Sequence, residues 1–597
     1  MKNIINKSKK FILHEKKVIL KSEGKAFYSP ESIMQSRLFK TILKDYVDYL
    51  KKTKSPLLNV FGDKINLLEL HKVLDLLLHY PRESIVEMLP ESKHFFEDPF
   101  TFLQFFENLY NFWRGHERYF IIYSSNFLRI RHHERPYRTF NNTVEKLNDY
   151  VRIIYRDICE NLTAEHPRIY RQVTAGVQAG IIAAYLPELV PEDYSYLRKI
   201  PFINQVLLEP PLILDPPMNT RTGMFKKSDK NPIKDLNLNE DEWLCYPAKV
   251  GPLVIYVYFN FQFIGLGTSL ANLFEIADEE DLVGKPDAIY LYGVDEEILK
   301  DCESKTIFHY DKKNDLFVGA VPNGDEFGYF GYIKKMVLTL HNSRCIQKGM
   351  MPIHGAMVKI SLKNGKNANV VIVGDSGAGK SESLEAFRIL GSDYLRDMRI
   401  IFDDMGSLEL DKEGNIIAYG TETGAFVRLD DLQPGFAFGN LDRAIIHSPQ
   451  KINARAILPI TTLKEITEGT KVDYFIYANN YSQTEEGENM LCEFKDKDFA
   501  FSVFKEGKRM AKGTTSETGL TKSYFANPFG APQHEQEHEE IAHKFFDAMY
   551  KKNIFVGELK TRLGLVGFES KGPEEAAKDL FKHINKNSIK KRWINDL

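Results

Sequence analysis

A stretch near the middle of the 597-residue chain has the residue types of a phosphate-binding loop. It fits the pattern G-x-x-x-x-G-K-[ST] and reads Gly374, Asp375, Ser376, Gly377, Ala378, Gly379, Lys380, Ser381 and then Glu382. Glycines let backbone N–H groups turn onto phosphate oxygens, the lysine adds a mobile cation, and the serine holds a divalent metal. Residues 370–373 have the pattern of a buried strand and residues 383–390 that of an amphipathic helix, so we predict a nucleotide site.

Two carboxylates follow this helix at the end of another apolar run. Residues 399–405 read Arg-Ile-Ile-Phe-Asp-Asp-Met, which predicts a buried strand that ends at Asp403 and Asp404. Alone, such a pair is more often a turn or a helix cap. Beside a phosphate-binding loop, it favours binding of the metal that bridges nucleotide phosphates.

The bulk composition is that of an ordinary globular protein, with 43% hydrophobic and 27% charged residues. A formal net charge of −3 gives no overall field that would attract nucleic acid or an anionic membrane. The five cysteines form no CxxC pair, which favours a reducing compartment, and no apolar run of about 18 residues is present. We therefore expect a cytoplasmic protein that binds neither nucleic acid nor membrane.

Apolar residues recur at helical spacing through the first third of the chain, which predicts an all-α N-terminal domain over residues 1–200. The periodic windows are residues 38–50, 67–78, 102–113 and 144–158. The many aromatic residues in these windows favour a packed core, and a surface for a protein partner is the alternative. A basic cluster at residues 129–138 fits a solvated loop or a site for an anion or an acidic partner.

A proline-rich polar stretch at residues 209–241 indicates a boundary or a long functional loop. Strand-like patterns follow at residues 253–261, 288–292, 306–310 and 316–320, with one helix predicted at 269–277. We predict an α/β lobe over residues 201–345 and a nucleotide- and metal-binding lobe over residues 346–597.

Two further short motifs precede the loop. Tyr329 begins the sequence Tyr-Phe-Gly-Tyr-Ile-Lys-Lys, which ends at Lys334 and Lys335, and His354 lies in Met-Pro-Ile-His-Gly. Adjacent lysines are usually solvated, and a lone histidine among apolar neighbours is usually a core residue. Only in combination with the loop and the aspartates do these residues indicate chemistry.

In combination, and in this order, the motifs between residues 326 and 583 resemble phosphoenolpyruvate carboxykinase, particularly its ATP-using type. The resemblance extends to the sequence Asn-Ala-Arg-Ala-Ile-Leu-Pro around Arg455 and to Phe-Gly-Ala-Pro at residues 529–532. It implies that catalytic Mn²⁺ is bound by Lys335, His354 and Asp404, that Tyr329 lines the substrate pocket, and that Lys334 faces the substrates. It also implies that Arg455 contacts the transferred phosphoryl group and the substrate.

Three departures from the family keep alternatives open. The arginine that holds the oxaloacetate carboxylate has no clean match, and Arg221 is the only candidate to replace it. Glu382 makes the loop more similar to that of HPr kinase/phosphorylase, a relative with the same type of loop. The segment at residues 512–519 lacks the arginine expected of the ATP enzymes, so ATP is the first expectation and GTP or pyrophosphate stay open.

The fold that the resemblance implies is a two-lobed α/β body with the active site in the cleft between its lobes. The reaction it implies is interconversion of oxaloacetate and phosphoenolpyruvate with release of CO₂. A lysine binds a metal only as the neutral amine, so Lys335 needs a lowered pKa. Ser381 would hold Mg²⁺ on the nucleotide side, and Asp403 would either lie beside that ion or contact the ligands of the metal. Lys380 and Arg455 would stabilise the charge of the transferred group.

Other functions compete with this one. The same machinery would serve a kinase of the same superfamily that phosphorylates another small molecule or a protein. A P-loop sensor that only binds nucleotide is a second alternative. The sequence from His534 to His538 matches the zinc-protease pattern H-E-x-x-H, although its glutamates are also typical of a solvated first helical turn.

Overall fold

A computed structural model describes residues 11–22, 27–62, 64–124, 136–166, 175–186, 190–375, 377–390, 394–429, 439–485, 488–511, 519–569 and 571–586. The chain divides into two compact units. The first comprises Met1–Leu186 with Pro201–Glu209, and the second comprises Pro187–Ile200 with Pro210–Leu597. None of the helices within the described ranges has the length and apolar character needed to cross a membrane.

The first unit combines a sheet with helices. Its strands, in their order across the sheet, are β1 (Phe11–His14), β2 (Lys17–Ser22), β3 (Glu117–Ser124), β4 (Ala179–Ala184) and β5 (Phe202–Leu208). Strands β2, β3 and β4 pair in parallel, and the two outer pairs are antiparallel. The helices are α1 (Pro30–Met34), α2 (Arg37–Thr53), α3 (Leu67–Leu76), α4 (Arg82–Met88), α5 (Pro99–Arg114) and α6 (Pro136–Thr163).

The prediction of an all-α N-terminal domain is therefore wrong, although its four helical windows are confirmed by α2, α3, α5 and α6. The missed strands are four to eight residues long and carry short apolar runs such as Tyr-Phe-Ile-Ile in β3. Runs of that length are compatible with helix or strand by periodicity alone. The long amphipathic helices around these strands gave the stronger hydrophobic periodicity.

Helix packing in the first unit follows the predicted apolar faces. Helix α2 starts at the N-cap Ser36, whose side chain accepts a hydrogen bond from the Phe39 N–H, and it ends at Lys54 in the left-handed region. Its buried face carries Tyr46, whose hydroxyl donates to the Phe105 carbonyl at 3.1 Å in α5. The aromatic residues of this unit mostly lie in its core, as the sequence predicts.

The second unit contains the remaining strands, which belong to three larger sheets and one hairpin. They are β6 (Leu212–Leu214), β7 (Lys226–Lys227), β8 (Trp243–Val250), β9 (Leu253–Asn260), β10 (Glu275–Ile276), β11 (Ala288–Val294), β12 (Ile307–Asp311), β13 (Leu316–Pro322), β14 (Met351–Leu362), β15 (Asn367–Val373), β16 (Leu395–Leu410), β17 (Ile416–Gly420), β18 (Gly424–Arg428), β19 (Ile445–His447), β20 (Arg455–Pro459), β21 (Thr470–Lys471), β22 (Tyr474–Asn479), β23 (Leu491–Glu493), β24 (Lys508–Met510), β25 (Leu520–Lys522) and β26 (Phe555–Lys560).

Two of these sheets position the candidate site. The first has the order β8-β9-β11-β13-β12-β7 with β10 beside β8, and the second has the order β21-β17-β16-β14-β15-β22-β26-β23. A smaller sheet has the order β18-β20-β19-β6, and β24 pairs with β25. The chain is therefore mixed α/β, as predicted, and the four strands predicted between residues 253 and 320 are confirmed as β9, β11, β12 and β13.

The helices of the second unit are α7 (Ile264–Thr268), α8 (Phe330–Gln347), α9 (Lys380–Ile389), α10 (Leu463–Thr467), α11 (Lys497–Glu506), α12 (Glu535–Lys551) and α13 (Lys571–Lys586). The helix predicted at residues 269–277 is a short 3-10 helix, Ser269–Asn272, followed by β10. Helix α8 is buried on nearly all sides and contacts β11 and β13 of the first sheet and β14 and β16 of the second. Side chains from two sheets and a buried helix can therefore meet at its N-terminal half.

Candidate functional site

The phosphate-binding loop connects β15 to α9, as the sequence predicts. Two of its glycines, Gly377 and Gly379, have positive φ angles of 78° and 100°, which disfavour any residue with a side chain. A Cβ atom on Gly379 would also lie 2.8 Å from Thr561 Oγ1. The loop is therefore built on glycine both by backbone conformation and by close packing.

Side chains from neighbouring elements hold the carbonyl groups of the loop. Thr561 Oγ1 donates to the Ala378 carbonyl at 3.0 Å, and Asn480 Nδ2 donates to the Gly377 carbonyl at 2.9 Å. These bonds fix two carbonyl oxygens of the loop, and two of its N–H groups are engaged as well, since Gly374 donates to the His354 carbonyl and Ala378 to the Asp375 carbonyl at 3.0 Å each. An anion in the loop would be bound by other N–H groups.

Buried ionic groups lie beside the same loop. Asp375 accepts a hydrogen bond from Arg509 Nε at 3.0 Å, and both side chains are buried. Ser376 and the side chain of Ser381 lie outside the described residues. Glu382 lies in the first turn of α9, where a carboxylate interacts favourably with the helix dipole.

Lys380 is the buried cation of the loop. Its Nζ donates to the Gly374 carbonyl at 2.7 Å. Burial lowers the pKa of Lys380, while the carboxylates of Asp404 and Asp375 oppose that change. The lysine of the loop therefore shares one electrostatic environment with Asp404, which lies inside β16 (Leu395–Leu410) and not at the strand end that the sequence predicts.

Four of the predicted site residues lie in contact with one another. Lys334 and Lys335 lie on α8, His354 on β14 and Asp404 on β16, opposite Gly355. Asp404 Oδ2 lies 2.7 Å from each lysine Nζ, and Asp404 Oδ1 lies 2.9 Å from His354 Nε2. Side chains that lie 50 to 70 positions before Asp404 in the sequence thus surround its carboxylate.

The backbone of Asp404 is strained. Its φ angle is 134°, in a region that residues with side chains rarely adopt. Such a conformation costs about 1–3 kcal/mol and persists only where the surroundings determine it. Three nitrogen atoms on this carboxylate are the contacts that hold it, and strain of this kind is found mostly at functional sites.

The tautomer and charge of His354 decide whether a cation can bind between this ring and Asp404. His354 Nδ1 lies 2.7 Å from the Ala526 carbonyl oxygen, which only accepts, so Nδ1 carries the proton. Burial and then the charge of Lys380 lower the pKa of His354, which favours the neutral ring over the imidazolium, while Asp404 and Asp375 oppose that change. In the neutral ring, Nε2 presents a lone pair to Asp404, and a positive ion beside both atoms would offset their repulsion.

The distances between the side chains of this cluster fit the ligand spacing of a divalent ion. Atoms bound at about 2.1 Å to an octahedral ion lie about 3 Å from their neighbours. His354 Nε2 lies 2.9 Å from Asp404 Oδ1 and Lys335 Nζ lies 2.7 Å from Asp404 Oδ2, so there is one contact of about this length on each carboxylate oxygen. A set of imidazole, amine and carboxylate suits Mn²⁺. The residues present therefore fit the metal that the resemblance implies.

The two lysines have different surroundings. Burial lowers the pKa of Lys335, and the charge of Lys334 lowers it further, which is the direction that a metal-binding amine requires. Lys334 is buried between Asp404 Oδ2 and Glu422 Oε1, each 2.7 Å from its Nζ, and these carboxylates raise its pKa despite burial. Lys334, which the resemblance places facing the substrates, is held here inside an ion-pair network.

Glu422 is a site residue that the sequence does not reveal. It lies between β17 and β18, is 1% exposed, and its Oε2 accepts a hydrogen bond from Thr421 Oγ1 at 3.0 Å. Burial raises the pKa of Glu422, and Lys334 opposes that rise. The sequence around it, Thr-Glu-Thr-Gly, matches no motif, and only the folded chain brings it to Lys334.

Replacing Glu422 with glutamine is expected to destabilise the protein. The variant leaves the buried Lys334 ammonium with one carboxylate instead of two, and we expect the free energy of unfolding to fall by about 2–3 kcal/mol. Denaturant unfolding measures this change. Glu468→Gln, at a side chain that is 58% exposed, is the matched control and is expected to have no effect. Equal stability of the two variants would contradict the ion-pair account.

Aromatic rings connect the arginines to the cluster. The guanidinium of Arg455 lies 5.3 Å from the centre of the Phe426 ring, which also faces Lys334 Nζ at 5.9 Å and Tyr329. Arg455 Nε is buried without a hydrogen-bond partner in the described part of the chain. The predicted arginine and tyrosine therefore surround the same ring as the cluster lysine.

Arg221 lies near the cluster through the ring of Phe529. Its guanidinium lies 5.0 Å from the Phe225 ring and 5.7 Å from the Phe529 ring, and Lys335 Nζ lies 4.6 Å from the centre of Phe529. Arg221, in the segment at residues 209–241, therefore places a cation beside Lys335. Asp403, one residue before Asp404 in β16, lies opposite Ala356 of β14 and is half-buried.

The two histidines of the H-E-x-x-H motif lie in a packed, largely apolar environment. His534 is the residue before α12 and has a non-helical conformation, so the two imidazoles do not lie on one helical face. His538 Nδ1 lies 3.2 Å from Tyr524 Oη, and its ring packs against Phe525. Burial lowers the pKa of both histidines to about 4. These contacts favour a packing role over a zinc site.

Comparisons with known proteins give no family assignment: no family model matches the chain, and no curated protein is significantly similar to it. Two of the predicted sequence features, the basic cluster at 129–138 and the segment that begins at Lys512, fall on residues whose side chains lie outside the described part of the chain. The functional argument therefore depends on the geometry of the cluster and the loop.

Proposed function

We propose that the chain is a phosphoenolpyruvate carboxykinase-like enzyme. It would interconvert oxaloacetate and phosphoenolpyruvate with release of CO₂, in a reaction that depends on Mn²⁺ and a nucleotide, with Mg²⁺ bound beside the nucleotide. In this proposal the two sheets that contact α8 are the two lobes of the family's catalytic body. The active site lies where the N-terminal half of α8 meets β14 and β16.

One observation carries the proposal: Lys335, His354 and Asp404 form a cluster within hydrogen-bonding distance, in the same electrostatic environment as the P-loop lysine. A protein that only senses nucleotide has no use for a second metal site beside the phosphates. A transferase that must activate a carbonyl compound next to a nucleotide does need one.

The chain's own residues would divide the chemistry as follows. Arg221 and Tyr329 bind and orient the oxaloacetate carboxylate, and Arg455 offsets the charge of the phosphoryl group. The bond from the distal carboxyl to the adjacent carbon breaks, CO₂ leaves, and the enolate oxygen takes the terminal phosphoryl group while the nucleoside diphosphate leaves. Lys380 offsets the charge on the phosphates during transfer. When bound, Mn²⁺ supplies Lewis acidity toward the carbonyl oxygen.

The carboxylation direction tests the proposal. The purified chain is supplied with phosphoenolpyruvate, bicarbonate, Mn²⁺ and ADP or GDP, and oxaloacetate is followed by its reduction to malate. We expect oxaloacetate formation that requires both the diphosphate and Mn²⁺. A protein that binds nucleotide and Mn²⁺ but forms no oxaloacetate would contradict the proposal and favour a kinase with another acceptor.

Replacing Arg221 with methionine is expected to weaken oxaloacetate binding selectively. A charge-assisted hydrogen bond is worth about 1.5–3 kcal/mol, so we expect KM for oxaloacetate to rise about 10- to 100-fold while nucleotide affinity stays unchanged. Steady-state kinetics measure both quantities. Arg399→Met, at a side chain that is 60% exposed, is the matched control. An unchanged KM for oxaloacetate would remove Arg221 from the substrate site.

A further inference from the structure

The first compact unit contains a cavity that is separate from the candidate active site. Its volume is about 90 Å³, and it lies among α2, α5, α6 and the sheet. Most of its wall is apolar, with Leu109, Trp113, Leu147, Val151 and Ile154 among the residues that line it. An apolar cavity does not hold water well, and cavities of this kind bind small apolar molecules.

One cation, Arg118, lines the same cavity. It is 4% exposed, and its Nε and Nη1 atoms donate to the carbonyls of Gly176 and Arg114 at 2.8 Å each, with a further contact to the His116 carbonyl. Within the described ranges, no carboxylate pairs with it, and Nη2 has no acceptor. Burial lowers the pKa of Arg118 to about 10. A buried cation without an anion is costly unless something compensates its charge.

The tyrosine hydroxyls at this cavity already have partners. Tyr155 Oη donates to Glu107 at 2.5 Å, and Tyr119 Oη donates to Glu117 at 2.8 Å. The Arg118 guanidinium is therefore the group with unused donors for an anionic ligand, and the ring of Trp113 lies 5.8 Å from it. An apolar chamber with one buried guanidinium selects a molecule that has an apolar body and one anionic end.

We propose that the first unit binds a small amphipathic carboxylate, with its apolar body in the cavity and its carboxylate on Arg118. This site is independent of the proposed carboxykinase reaction. The carboxylate supplies the missing counter-charge, and the apolar body fills space that water occupies poorly.

The first test compares ligands on the unaltered full-length chain. Hexanoate, hexanol and acetate are titrated by calorimetry, because they separate the apolar body from the charge. We expect saturable binding of hexanoate, binding of hexanol that is at least about tenfold weaker, and no binding of acetate. Equal affinity for hexanoate and hexanol, or no saturable hexanoate binding, would overturn the proposal.

The second test fills the cavity. Val151→Trp places a large ring in the chamber, and Ile153→Trp adds the same ring on the same helix at a side chain that is 40% exposed. We expect Val151→Trp to lose hexanoate binding and Ile153→Trp to keep it. Hexanoate affinity that Val151→Trp leaves unchanged would place the ligand elsewhere and overturn the proposal. Circular dichroism and thermal unfolding of each variant, compared with the unaltered chain, serve as the check that the first unit is folded.

Discussion

Replacing Asp404 with asparagine is expected to lower kcat of phosphoryl transfer by at least about 10³-fold. Within the described residues, Asp404 is the carboxylate that contacts both Lys335 and His354, whereas Asp375 lies 3.5 Å from His354 Nδ1 alone. Asparagine keeps the shape of the side chain but removes its charge and replaces one acceptor oxygen with a donor. Turned toward His354, that NH₂ group can donate to the Nε2 lone pair while the remaining oxygen accepts from the lysines, so the variant keeps the contacts and loses the anionic charge of the cluster.

Two measurements separate this effect from unfolding. Mn²⁺ affinity, followed by the resonance signal of the free ion, is expected to fall at least about 10-fold, while nucleotide binding to the loop persists. Asp498→Asn, at a side chain that is 83% exposed, is the control and is expected to behave as the unaltered chain. An Asp404→Asn variant with normal Mn²⁺ affinity and turnover would exclude the cluster as the catalytic metal site.

Replacing Lys380 with methionine is expected to have the second large effect on turnover. Methionine keeps most of the apolar stem and removes the only side-chain cation of the loop, so kcat is expected to fall by about 10²- to 10³-fold. The loop N–H groups and the α9 dipole remain, and nucleotide binding should weaken much less than turnover does. A larger effect on turnover than on binding is the signature of a charge that acts on the transferred group.

Equilibrium binding of nucleotide and steady-state turnover, measured on the same preparation, test this prediction. Lys464→Met, at a side chain that is 78% exposed, is the matched control. A Lys380→Met variant that loses binding and turnover in equal measure would assign the lysine to uniform nucleotide binding. A variant with normal turnover would exclude the loop from the reaction.

Much of the site was predictable because its residues lie in local motifs. The loop from Gly374 to Ser381 carries its own glycines and is flanked directly by a strand and a helix, and the structure has β15 and α9 at those places. Asp404 follows an apolar run, which the structure has as part of β16. Spacing within one strand–loop–helix segment is a physical constraint that a single sequence displays directly.

Other features depend on contacts between distant segments, and the sequence could not display them. Glu422 meets Lys334 only because β16 and β17 pair beside α8, and Arg221 reaches Phe529 across more than 300 residues. The sheet of the first unit was missed because its short strands lie between long amphipathic helices. The buried guanidinium of Arg118 likewise gives no periodic signal in β3.

The most direct test of the central claim is phosphoenolpyruvate formation from oxaloacetate by the purified chain. The assay contains Mn²⁺ and Mg²⁺, offers ATP, GTP or pyrophosphate in turn, and includes Lys335→Ala beside the unaltered protein. We predict phosphoenolpyruvate formation with at least one donor and its loss in the variant. No product from any donor, in a chain that still binds nucleotide, would contradict the carboxykinase assignment.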